Sequence, residues 1–113
     1  MGKAQRDKGK RGELEASHKL SELLGVPVRR SQQYHGAAGS ADLAGVDGLH
    51  FEVKRTERLN LYDALEQAAG DCGDDIPVVI HRRNSKPWVA IIYLDSADRF
   101  VQTWQAARSR GRG

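Results

Sequence analysis

The stretch Leu49-His50-Phe51-Glu52-Val53-Lys54-Arg55 decides how the rest of this chain can be arranged. If it is a strand, its period of two separates an apolar face from a polar one. Leu49, Phe51 and Val53 share the first face, and His50, Glu52 and Lys54 share the second. Unpaired carboxylates are rare in half-buried strands. We therefore expect the first face to be core and the second to carry chemistry.

The residues just upstream predict the strand that pairs with it. Ser40 to Ala44 has the composition of a short strand, and Gly45-Val46-Asp47-Gly48 is typical of the turn between two strands because Asp-Gly is a strong hairpin signal. Antiparallel pairing would bring Asp42 beside Glu52 or Lys54.

A third acid stands at the start of a helix predicted over residues 12–24, which Gly25 ends. At about 100° per residue, Glu13 lies on the same stripe as Leu20 and Leu24, whereas Glu15 points into solvent. A carboxylate on an inward stripe is costly to bury unless a cation or hydrogen bonds satisfy it. The alternative is an ordinary first-turn acid favoured by the helix dipole, and acid-x-Lys tripeptides also occur by chance.

Two or three acids beside a lysine suit the cleavage of a phosphodiester by a divalent ion. That reaction needs hard oxygen ligands converging on one point, and a group that orients water or offsets charge on the scissile phosphate. We therefore predict a single site formed by Glu13, Asp42, Glu52 and Lys54.

The remaining elements complete an α/β domain with a mixed sheet. We expect a strand over 28–31, an exposed mobile loop over 32–40 that could contact substrate, strands over 77–80 and 88–94 at the centre and edge of the sheet, and a helix from Asp95 with the stripe Ala97, Phe100, Val101 and Trp104. Asn60 is a suitable cap for another helix, whose stripe of Leu61, Leu65, Ala68 and Cys72 should face the sheet.

Length and charge frame these elements. A chain of 113 residues predicts one compact domain, which we place at residues 12–107. The net charge is +3, but residues 1–11 carry +4 and residues 108–113 carry +3, so residues 12–107 carry −4. We interpret the two ends as a flexible basic N-terminal arm and a basic C-terminal tail that hold a polyanion, although such ends can also serve solubility alone.

Several classes of protein do not fit the chain. No apolar run approaches the roughly 18 residues of a membrane span, and the basic start lacks the apolar segment of a secretory signal. A single cysteine, Cys72, excludes an internal disulfide and favours a core position. We expect a cytoplasmic protein that does not bind membranes. The four histidines have no spacing that suggests zinc, and we give His50 no direct role.

Basic residues at the ends of the predicted strands are candidates for contact with a nucleic-acid backbone. Arg55 and Arg58 follow the acid-x-Lys strand, and Arg82 and Arg83 follow the strand after Pro77. Phosphates on either side of a cut could reach these positions.

The order of elements and the residues on them resemble the PD-(D/E)XK nuclease superfamily, within it the archaeal-type Holliday junction resolvases and their phage relatives. The resemblance runs from about Lys8 to Leu94 and rests on Lys8-Gly9-Lys10-Arg11-Gly12-Glu13, Val28-Arg29-Arg30-Ser31, Ala41-Asp42-Leu43 and Phe51-Glu52-Val53-Lys54. It implies a restriction-endonuclease-like core of a helix, three antiparallel strands, a helix and further strands, with an extra C-terminal helix. Ala41 replaces the proline of the superfamily's name, which leaves the ligand set intact.

The resemblance implies specific roles. Asp42 and Glu52 would bind Mg²⁺, or Mn²⁺ in its place, helped by the Val53 carbonyl and Glu13. Lys54 would orient the attacking water or stabilise the pentavalent phosphate. Further DNA contacts would come from Lys8, Lys10, Arg11, Arg30, Ser31 and Gln67, although Gln67 could equally be an ordinary exposed helix residue.

The substrate that the resemblance implies is a four-way DNA junction. Family members are homodimers whose paired sites cut two opposed strands, in DNA recombination and repair, and the phage relatives extend the expected location to the cytoplasm of a phage's host. Other members of the superfamily cut flaps, ends or duplex sites with the same ligands. A non-catalytic nucleic-acid-binding module and an acidic protein-interaction domain also stay open.

Overall fold

The computed structural model describes residues 3–31 and 40–112, with side chains from residue 9 onward in those ranges. The helices are α1 (Lys3–Leu24), α2 (Leu61–Asp71) and α3 (Ala97–Arg112), the last preceded by a 3-10 helix, Leu94–Ser96. The strands are β1 (Arg29–Arg30), β2 (Leu43–Ala44), β3 (Leu49–Arg55), β4 (Ile76–Arg82) and β5 (Val89–Ile91). The predicted class, helices around one mixed sheet, is confirmed.

The strands of the described residues form one sheet in the order β1-β2-β3-β4-β5. β1, β2 and β3 are antiparallel neighbours, and the Asp-Gly turn predicts the pairing of β2 with β3. β3 and β4 are parallel, from Leu49 opposite Ile76 to Arg55 opposite Arg82, because α2 carries the chain back to the starting edge. β5 then pairs antiparallel with β4 at the edge, so the predicted centre and edge strands are correct.

The two faces of the sheet are covered by different helices. On one face, Phe51 and Val78 pack in a cluster with residues of α1 and α3. On the other, Ala64, Leu65 and Ala68 of α2 pack on Val79. Phe51 is 1% exposed, and burying a side chain of that size contributes roughly 1.5–3 kcal/mol. The alternation predicted for β3 therefore holds, but its polar face is also covered, so that His50 and Glu52 are buried.

Gly12 sets the distance between α1 and β3. A Cβ built on it would lie 2.6 Å from the Cβ of Arg55, closer than real Cβ contacts come. Only a residue without a side chain lets α1 pass this close to the strand. The residue after Gly12 is Glu13, so the contact also fixes the height of that carboxylate above the sheet.

The structure differs from several predicted boundaries. Residues 3–11 continue α1 and residues 108–112 belong to α3, so the described parts of the expected arm and tail are helical. Lysine, arginine, glutamine and alanine are good helix formers, and they need no apolar periodicity to extend a helix. The predicted loop over 32–40 lies outside the described residues, apart from Ser40.

Two predicted apolar stripes are also partly wrong. Cys72 is the C-cap of α2 and contacts backbone carbonyls rather than the core, and Leu61 is 42% exposed. In α3, which begins at Ala97 rather than Asp95, Phe100 and Trp104 pack on the core, but Val101 is 49% exposed. None of the helices among the described residues has the length and apolar content needed to cross a membrane.

Candidate functional site

Asp42 is fixed between β1 and β3 by its own backbone and side chain. Its N–H donates to the Phe51 carbonyl, and its carbonyl accepts the Ser31 N–H, both at 2.9 Å. Its Oδ2 accepts the Val53 N–H at 2.8 Å. The Asp42 carboxylate therefore accepts a β3 hydrogen bond that a backbone carbonyl of a neighbouring strand would otherwise accept. The predicted antiparallel pairing brings Asp42 to this position.

The pKa of Asp42 is raised from 3.8 to about 7. Burial is the largest cause, and the charges of Glu52 and Glu13 and a hydrogen bond with Glu52 also raise the pKa. The hydrogen bond from Val53 lowers this pKa and only partly offsets the other effects. Glu52 of β3 and Glu13 of α1 therefore each lie close enough to Asp42 to repel its carboxylate. That all three acids bind one shared ion stays a prediction.

Glu52 is only 6% exposed, and His50 is its partner. His50 Nε2 lies 2.9 Å from Glu52 Oε1, with both side chains buried on the α2 side of the sheet. The contact between His50 and Glu52 was not predicted from the sequence. The available signal was that His50 and Glu52 are two residues apart on one strand face.

Glu13 is held by Arg30. The Arg30 Nε donates to Glu13 Oε1 at 2.8 Å, and both side chains are mostly buried. Glu13 is therefore only partly exposed, as the predicted inward stripe requires. Glu15 does not point freely into solvent as predicted, because its carboxylate accepts from Arg82 and, at 2.9 Å, from Trp88 Nε1.

Lys54 follows Glu52 on the same strand face and is partly exposed. Its Nζ lies 3.4 Å from Gln67 Oε1, a weak contact across to α2. Gln67 thus meets the predicted site through Lys54, and the ammonium group stays accessible beside the buried acids.

The side chains do not by themselves form a complete metal centre. Within residues 9–31 and 40–112, no three His, Cys, Asp or Glu side chains are arranged to hold a metal ion together. Arg30 engages one oxygen of Glu13, and His50 likewise engages one oxygen of Glu52. In a strand the Val53 carbonyl points to the same edge as the Val53 N–H, which donates to Asp42.

Besides Arg30, two more of the arginines predicted to contact DNA have partners within the protein. Arg55 lies 2.8 Å from Asn84 Oδ1 and 3.6 Å from Glu57 Oε2. Arg82 donates to the Lys86 carbonyl at 2.6 Å and forms an ion pair with Glu15. Both, like Arg30, are engaged in holding the fold.

The other predicted DNA contacts are distributed over the surface. Ser31 is half-buried beside Asp42, and the exposed side chains are those of Lys10, Arg11, Arg58, Gln67 and Arg83. Lys8 lies within α1, and its side chain is outside the described part of the chain.

Comparisons with protein-family models, with curated proteins and with solved structures each find no match to this chain.

Proposed function

We propose that this protein is a divalent-metal-dependent DNA endonuclease that cuts four-way junctions as a homodimer. The observation that carries the proposal is the contact of two acids from separate segments, Asp42 and Glu52, with the pKa of Asp42 raised to about 7. Such an arrangement is unfavourable on its own and becomes favourable when a cation is shared between the carboxylates.

The donor set suits a hard cation. Carboxylate and carbonyl oxygens are the ligands that Mg²⁺ and Mn²⁺ prefer. Asp42, Glu52 and the Val53 carbonyl would hold the ion, and Glu13 would join the site when it separates from Arg30. A bound ion would supply electrostatic stabilisation of the phosphate and a water of lowered pKa.

Protein groups around the acids have separate roles in this proposal. His50 holds one oxygen of Glu52, so that the other can face the shared ion. Lys54 places a positive charge beside the acids, where it would orient water or stabilise charge on the scissile phosphate. A protein that only binds DNA, without cutting it, gains nothing from clustered carboxylates that repel phosphate.

The first test removes one carboxylate charge at a time. Asp42→Asn keeps an oxygen for the Val53 N–H, and Glu52→Gln keeps an amide oxygen near His50. We expect each variant to lose at least a hundredfold in Mg²⁺-dependent cleavage while binding of the uncut junction survives or tightens, because repulsion of phosphate is reduced.

The matched controls are Asp47→Asn and Glu22→Gln, which remove exposed carboxylates away from the site. These should cut at the wild-type rate. If Asp42→Asn and Glu52→Gln both cut at the wild-type rate, the assignment is contradicted. Wild-type protein that binds junctions but never cuts them, with any divalent ion, would indicate a binding module.

The second test concerns the substrate. A four-way junction and a linear duplex of the same sequence are compared at equal strand concentration with Mg²⁺, and without metal as a blank. We expect cleavage of the junction to exceed that of the duplex by at least tenfold. Equal rates would reject the junction preference and leave a nuclease of other specificity.

A further inference from the structure

A groove with an apolar floor and a basic rim lies beside the proposed catalytic site. Its volume is about 560 Å³ and it is lined by residues of the loop before α2, of β4 and β5, and of the turn that joins those strands. The floor contains Leu59, Leu61, Val89 and Ile91, and the rim contains Arg83 and Lys86. We refer to these six residues as the β4–β5 groove.

The groove is on the same face of the sheet as Glu52 and Lys54. Lys54 of β3 is opposite His81 of β4, and His81 is opposite Val89 of β5. Neighbouring strands are about 4.8 Å apart, so the groove begins about one strand spacing beyond Lys54. His81 lines it and is held by a 2.9 Å contact between its Nε2 and the Thr56 carbonyl.

The charge available at the rim is positive. Glu57 and Arg82 also line the groove, but Glu57 lies 3.6 Å from Arg55 and Arg82 is paired with Glu15. Among the described residues, the side chains of Arg83 and Lys86 have no ion pair or hydrogen-bond partner, and both are exposed. Two cations are thus presented to solvent without a partner.

The floor is unusually apolar for an exposed surface. Val89 is 47% exposed and Leu61 is 42% exposed, on an edge strand and at a helix start where polar residues would cost nothing. A ligand suited to this surface has an apolar plane for the floor and negative charges for the rim. A nucleotide strand has both, since its bases carry apolar faces and its backbone carries phosphates.

We infer that the β4–β5 groove binds the nucleic-acid strand adjacent to the scissile phosphate, with an unstacked base on the floor and backbone phosphates at Arg83 and Lys86. The inference rests on the proposed function, because the position of the groove beside Lys54 makes it continuous with the path of a strand being cut. It assigns DNA contact to Arg83 and Lys86, and a structural role to Arg82.

The test measures binding apart from cleavage. Fluorescence anisotropy with labelled oligothymidylate and with a labelled junction, in EDTA, gives affinities over a range of salt concentrations. We expect Arg83→Gln combined with Lys86→Gln to lower affinity about tenfold and to reduce the slope of log K against log salt by about two, one for each lost phosphate contact. Lys19→Gln combined with Arg99→Gln, which removes two charges from α1 and α3 on the other face, should change neither.

A second variant tests the floor. Val89→Thr keeps the shape and strand propensity of valine while replacing one methyl group with a hydroxyl group. It should weaken the binding of oligothymidylate severalfold without changing the salt slope, because it removes no charge.

The outcomes separate this inference from the proposed function. If wild-type protein cuts junctions with Mg²⁺ but the rim variant binds as tightly as wild type, the groove is not a strand site and the nuclease stands. Equal losses of DNA affinity for the rim variant and its control would also overturn the inference. Any positive charge on the surface would then contribute equally to binding. A change in sedimentation showing that the rim variant loses self-association instead would overturn the inference as well, since the groove would then be a contact between copies.

Discussion

At the scale of single residues, the raised pKa of Asp42 links the site to stability. A carboxyl group whose pKa is higher in the folded protein than in the unfolded chain favours folding when protonated. That contribution is complete below the unfolded pKa of 3.8 and is lost as the pH rises through about 7. Without metal, the ionised carboxylate therefore destabilises the fold at pH 8.

Asp42→Asn should consequently raise the melting temperature at pH 8 in EDTA by several degrees, and by much less at pH 4. The reason is that asparagine retains an acceptor for the Val53 N–H without the repulsion from Glu52 and Glu13. Thermal unfolding at both pH values measures this change in melting temperature, with Asp47→Asn as the control. Added Mg²⁺ should stabilise the wild type at pH 8 and not the variant.

The opposite result is equally informative. If wild type and Asp42→Asn differ by the same amount at pH 4 and pH 8, the carboxyl group has no raised pKa in the folded protein. The proposed repulsion among the three acids would then be wrong.

The acids of the site were predicted from the sequence, but their partners were not. Alternation in β3 and the helical stripe indicated which way Glu52 and Glu13 point, because both periods are fixed by backbone geometry. Arg30 and His50 were not identified as partners of these acids. The side chain that satisfies a buried carboxylate depends on how segments distant in sequence meet, and no local pattern contains that information.

At the scale of elements, the contact of α1 with β3 is the next testable feature. Gly12→Ala would place a methyl group 2.6 Å from the Cβ of Arg55, an atom that cannot move without moving β3. We expect α1 to shift outward, the free energy of unfolding to fall by about 1–3 kcal/mol, and cleavage activity to fall because Glu13 moves with the helix.

Gly9→Ala provides the matched control, since a Cβ at that position would meet nothing within 4 Å. It should stabilise the protein by up to about 1 kcal/mol through the better helix propensity of alanine. Urea unfolding of the two variants measures the difference between them. Equal stabilisation of both would show that α1 does not pack against β3 at Gly12.

The boundaries of elements were predictable where a pattern changes sharply. β3 was predicted at its observed bounds because its alternation is bracketed by a turn and a polar segment, and Asn60 was recognised as the cap of α2. The start of α1 was missed because residues 3–11 have no apolar stripe, although most of them are good helix formers. The burial of both faces of β3 depends on where α2 packs, which the strand alone does not specify.

At the scale of the whole molecule, the two basic segments lie at opposite ends of α1. Lys10 and Arg11 adjoin Gly12, which contacts Arg55 at the end of β3 near the site. Arg110 and Arg112 flank Gly111, which contacts Gly25 after the other end of α1. With a rise of 1.5 Å per residue, Gly12 and Gly25 are about 20 Å apart. The sequence predicts that both basic ends hold a polyanion, and the fold places only one of them near the site.

The expected consequence is unequal contributions to DNA binding and cutting. Lys10→Gln combined with Arg11→Gln should lower both junction affinity and the cleavage rate at limiting enzyme, because these charges are near the strand being cut. Arg110→Gln combined with Arg112→Gln removes the same charge and should lower affinity for long junction arms while leaving cleavage of a short-armed junction unchanged. Cleavage of junctions with short and long arms, measured at one salt concentration, distinguishes the pairs. If the two double variants have identical effects on both substrates, the basic ends act only through net charge. An effect of net charge does not depend on where in the molecule the charge lies.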